Sequence, residues 1–109
     1  MSNAMTDARV NIHLPGQPHP LSGRLLAQVE AEGALPLLQL YDCGEYLLAV
    51  KRLADQRVEH ERIWISDDQF DGRCHPVHPL PEDEVRDQLR RFFGDDPRAP
   101  ALIRDAPLR

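Results

Sequence analysis

A chain of 109 residues, 41% hydrophobic and 28% charged, has the size of one folding unit and the composition of a globular protein rather than a disordered or fibrous one. No apolar run approaches the roughly 20 residues that span a bilayer, and two cysteines are too few for a disulfide framework, so the sequence points to a cytoplasmic setting without membrane insertion. Eighteen acidic residues against thirteen basic give a formal charge of −5, which repels polyanions and argues against nucleic acid as a partner.

Met1-Ser2-Asn3-Ala4 ahead of a second methionine reads as a cloning remnant, with Met5 as the native start. Residues 1–20 are assigned to this remnant and an extended or disordered arm, because Pro15, Pro18 and Pro20 with Gly16 interrupt both helix and ladder hydrogen bonding. Residues 21–94 are expected to form one α+β domain. From Leu21 to Gly33, the content of Ala, Leu, Gln and Glu, with Ser22 as a cap and Gly33 at the C′ position, predicts a short helix. Leu25, Ala27, Val29 and Ala31 also alternate with their neighbours as a half-buried strand would.

Leu37 to Tyr41 and Tyr46 to Leu53 read as two strands joined by the turn Asp42-Cys43-Gly44-Glu45. A third strand, Val58 to Ser66, follows a turn near Ala54 to Gln56 that has no glycine. Residues 66–81 carry Asp67, Asp68, Asp71, Gly72, Pro76, Pro79 and Pro81 and are expected to be loop. Pro81 to Phe93 is an amphipathic helix, with Val85, Leu89, Phe92 and Phe93 on one stripe and Gly94 as its stop. Its acids Glu82, Asp83 and Glu84 and its bases Arg90 and Arg91 suit the two ends of the helix dipole. Residues 95–109, with Pro97, Pro100 and Pro107, are expected to be a proline-containing tail. The expected architecture is therefore αβββα with a three-stranded antiparallel sheet; the alternative is a four-stranded meander followed by the C-terminal helix. The order helix, three strands, helix is also that of the double-stranded RNA-binding domain. That family places a basic cluster at the start of its second helix, where this chain has Glu82, Asp83 and Glu84, and no family is assigned.

Cys74, His75 and His78 put a thiol and two imidazoles within five positions, and Cys43 or His60 could complete a tetrahedral metal set. Paired C-x-x-C knuckles are absent, and an inert thiol beside two loop histidines is the simpler reading. Asp67, Gln69, Asp71 and Gly72 match the start of a calcium loop, but His78 stands where the bidentate glutamate belongs. An enzyme reading would use Asp67, Asp68, Asp71 and His75 as acids and bases, or pair Cys43 or Ser66 with His60. With no nucleophile elbow and no phosphate-binding glycine cluster, catalytic residues stay unassigned and no cofactor is expected.

The second strand is apolar on both faces: Tyr46, Leu48 and Val50 on one, Leu47, Ala49 and Leu53 on the other. Two helices can cover only one face, so the other needs a second subunit, a bound protein or the chain's own proline-containing tail. A non-enzymatic interaction or accessory module is the expectation, a homo-oligomer or a binder of a protein partner, with Tyr46, Leu48, Val50 and Trp64 as its surface.

Overall fold

The computed structural model describes residues 8–65 and 81–107. Among the described residues are five strands: β1 (Val10–Ile12), β2 (Leu21–Val29), β3 (Leu37–Asp42), β4 (Tyr46–Arg52) and β5 (Val58–Trp64). They form one antiparallel sheet in the order β1-β2-β3-β4-β5, each strand lying beside its sequence neighbours. Two helices follow, α1 (Glu82–Phe93) and α2 (Ala99–Asp105).

This corrects both expected architectures, which held three or four strands and a single C-terminal helix. The expected helix over residues 21–33 is strand β2 instead. Helix propensity contributes only a few tenths of a kcal/mol per residue, whereas β2 has a ladder partner on each side, β1 through Ile12↔Leu21 and β3 through Val29↔Leu38. A register shift between Leu25 and Ala27 obscures the strand in the sequence. Beyond that bulge Leu26, Ala27 and Val29 all pack on one cluster, which breaks strict alternation.

The second correction concerns the tail, part of which folds as α2 and packs beside α1, so that the N-terminal arm and not the tail covers the other face of the sheet. Pro100 sits in the first turn of α2, where its missing N–H removes no intrahelical bond. The arm contributes β1 and the buried Leu14.

The hairpin between β3 and β4 forms as its residues predict. Asp42 Oδ1 accepts the Gly44 N–H at 2.8 Å, and Gly44 takes a φ of 95° that a side chain would resist. The β4–β5 turn lacks glycine, and Gln56 adopts the left-handed φ of 72° in its place.

Alternation divides the apolar residues of β4 between two cores. Leu47 and Ala49 join Leu38, Leu40 and Ile63 under Val85, Leu89 and Phe93 of α1 and Leu102 and Ile103 of α2. Leu48 and Val50 face the opposite way and pack with Tyr41, Ile12 and Leu14. Each fully buried aliphatic side chain contributes about 1.5–3 kcal/mol, so neither cluster is incidental to stability. The helical layer is fastened by two arginines. Arg86 binds Glu82 at 2.7 Å and donates to the Ile103 carbonyl in the last turn of α2. Arg98 pairs with Asp96 at 2.8 Å and donates to the carbonyls of Glu30 and Pro36 in the β2–β3 connection.

Candidate functional site

The antiparallel register places Tyr46 opposite Trp64, Leu48 opposite Arg62 and Val50 opposite His60. Trp64, Arg62 and His60 therefore project from the sheet face away from the helices, spaced two residues apart along β5. Trp64 is 38% exposed. Its ring meets Tyr46 edge-on, with centroids 5.0 Å apart and planes at 68°. The Arg62 guanidinium lies over the same tyrosine, 5.0 Å from the ring centroid. Trp64, Tyr46 and Arg62 thus form a continuous stack at the open end of this face. Among the described residues, the other exposed large hydrophobics, Val10 at 44% and Leu25 at 40%, fall on the same face by their registers with Gly23 and Tyr41.

Charge is sorted by face along this part of the sheet. Arg52, His60 and Arg62 share the face away from the helices, and no strand position on that face in β3, β4 or β5 holds a carboxylate. Glu59 and Glu61 occupy the alternate positions of β5, where Glu59 pairs with Lys51 at 3.3 Å. Deeper in the same face a polar row crosses three strands. Arg52 Nε donates to Gln39 Oε1 at 2.9 Å, Gln39 Nε2 donates to Gln28 Oε1 at 2.8 Å, and Gln28 Nε2 donates to Glu30 at 2.6 Å. Buried Gln39 is thereby satisfied at both ends of its amide.

Burial pushes the thiol of Cys43 above its ordinary value, and the phenols of Tyr46 and Tyr41 rise for the same reason. The Arg52 guanidinium beside Tyr41 opposes the rise there. All three stay protonated at neutral pH, so none offers a ready nucleophile.

The residues expected as an interaction surface separate into two groups. Leu48 and Val50 are 0% exposed, in a cluster with Ile12 and Leu14 from the chain's own N-terminal arm. Tyr46 is half-buried and Trp64 is open. Arg62 was missed in the sequence, though its spacing two residues from both His60 and Trp64 marks it for the same face. Cys74, His75 and His78 lie outside the described residues, as do Ser66, Asp67, Asp68, Gln69, Asp71 and Gly72. Among the described residues, no three His, Cys, Asp or Glu side chains are grouped to hold a metal ion, and no helix is long and apolar enough to cross a membrane.

One open groove of about 290 Å³ lies between β4 and the end of α1, lined by Leu35, Pro36, Lys51, Leu53, Phe93 and two aspartates, Asp95 and Asp96. Its charges are largely committed: Lys51 to Glu59 and to the face of Phe92, Asp96 to Arg98. The groove reads as a packing seam. No family model, no curated protein and no solved structure matches the chain.

Proposed function

We propose that the chain is a non-enzymatic interaction module that binds another protein through the stack of Trp64, Tyr46 and Arg62. The supporting observation is an open tryptophan packed edge-on against a tyrosine, beside an arginine with no carboxylate on its face in β3, β4 or β5. Tryptophan, tyrosine and arginine are the residue types that dominate binding energy at protein interfaces. A rigid aromatic pair also loses little conformational entropy when a partner lands on it.

Self-association through the sheet is the other form of this reading. Face-to-face pairing would set Arg62 and His60 of each copy near the same residues of the other, with no acid on that face in β3, β4 or β5 to offset them. A different protein with acidic side chains is the better complement.

The test is affinity capture from cells that make the protein, using wild type and Trp64→Glu as parallel baits. A stoichiometric prey should be retained by wild type, lost by the variant, and rebind when both are purified. Prey that is insensitive to Trp64 and Tyr46 substitutions overturns the reading. Light scattering on the purified chain reports whether the prey is a second copy of itself.

A further inference from the structure

We infer that β5 is an acceptor edge for an extended segment of a partner protein. That segment alternates acidic and basic side chains in the phase opposite to Glu59-His60-Glu61-Arg62. The inference rests on the interaction-module reading and specifies how the partner is held.

Three observations carry it. The first is position: β5 is an end strand, paired with β4 alone among the described residues. The second is backbone phase. The Ile65 N–H donates to the Glu45 carbonyl at 3.0 Å, and Glu45 and Ile65 continue the register that pairs Leu47 with Ile63. In an antiparallel ladder alternate residues bond the same neighbour. Glu59, Glu61 and Ile63 therefore point their backbone groups at β4, while His60, Arg62 and Trp64 point theirs outward. The outward groups belong to the residues whose side chains line the proposed binding face, so one added strand would meet both.

The third observation is the charge order. A second copy pairing with β5 about a two-fold axis brings residues of the same face together. Centred on Glu61, that residue meets itself and His60 meets Arg62; centred on His60, Glu59 meets Glu61. Glu61 opposes Glu61 in the first register and Glu59 opposes Glu61 in the second, which disfavours edge-to-edge pairing of identical chains in these two registers. The same order accepts a strand with acids opposite His60 and Arg62, bases opposite Glu59 and Glu61, and apolar residues opposite Ile63 and Trp64. Read from its N-terminus, an antiparallel partner has the pattern apolar, apolar, acid, base, acid, base.

Two tryptophan-free peptides test this: one with that pattern in valine, glutamate and lysine, the other with glutamate and lysine exchanged. Trp64 is the chain's one tryptophan, so its fluorescence reports binding directly. Three charge pairs, at Glu59, Glu61 and Arg62, change sign between the peptides, and the matched one should bind about tenfold tighter or better. Its binding should slow amide exchange at His60, Arg62 and Trp64, whereas Glu59, Glu61 and Ile63, already bonded to β4, should change little. Arg62→Glu reverses one of these pairs and should cut the preference to about two- to threefold. Equal affinity for the two peptides, no binding of either, or protection without this alternation overturns the proposal. If it fails while partner capture still depends on Trp64, the partner docks on the face without adding a strand. If capture is independent of Trp64, the interaction-module reading itself falls.

Discussion

A β-carbon added to Gly23 would stand 2.8 Å from the Cys43 sulfur, 3.1 Å from Ile12 Cδ1 and 3.3 Å from the Asp42 carbonyl oxygen. Gly23→Ala should therefore destabilise the fold by about 1–3 kcal/mol through overpacking. Combining it with Cys43→Ala should cost less than the sum of the single changes, which denaturant unfolding of the four proteins would show. The Asp96–Arg98 pair supports a second prediction at this scale. Hydrogen bonds from Arg98 hold the Asp96 carboxyl below the usual carboxylate range. A depressed folded-state value means stability that is present above the unfolded value, near pH 3.9, and lost as pH falls through the folded one. Asp96→Asn should cost about 1.5–3 kcal/mol at pH 7, and its deficit against wild type should shrink below about pH 4 in thermal melts. Neither residue's role was legible in the sequence. A glycine in a leucine-rich run and an arginine in a proline-rich tail look ordinary until the fold brings Cys43 and Glu30 beside them.

Among the elements, α1 and the β3–β4 hairpin were legible because their signals are local. A stripe of Val85, Leu89 and Phe93 between Pro81 and Gly94 specifies a helix, and Asp42 with Gly44 specifies a turn. Strand β2 was not, because its support comes from ladders on both sides and its bulge sets Leu26 and Ala27 toward the same core. The β4–β5 turn carries its own prediction. Gln56 holds a positive φ of 72°, a conformation in which its β-carbon is strained. Gln56→Gly should stabilise the protein by about 0.5–1 kcal/mol, net of the extra freedom glycine gives the unfolded chain. A lower melting temperature in this variant would contradict that account of the turn.

For the whole molecule, the sequence made plain that β4 is apolar on both faces. What covers the second face was not, because three residues of β1 and Leu14 lie among prolines that suggest an unstructured arm. Ile12 is 2% exposed against Tyr41, Leu48 and Val50. Ile12→Asp would bury a charge there and should cost about 3–5 kcal/mol, with increased binding of a hydrophobic dye. Trp64→Glu, on the open part of the same face, should cost about 1–2 kcal/mol through the lost ring contact with Tyr46, well below the cost of Ile12→Asp. That contrast in melting curves separates the covered half of the face from the half available to a partner. The proposed site was half legible: Tyr46 and Trp64 stood out as bulky residues, but sorting His60 and Arg62 from Glu59 and Glu61 required the register.

The reach of Arg98 bears on the order in which a newly made chain becomes safe from aggregation. Its bonds to Glu30 and Pro36 span 68 and 62 positions, whereas the meander closes between neighbouring strands. Hairpins can form as the chain leaves the ribosome, since their contacts are short in sequence. Leu38, Leu40 and Leu47 then stay uncovered until Val85, Leu89 and Phe93 of α1 and Leu102 and Ile103 of α2 emerge and the clamp shuts over them. The two helices, distant in sequence from the strands they cover, thus set how long the greasiest side of the sheet stays wet.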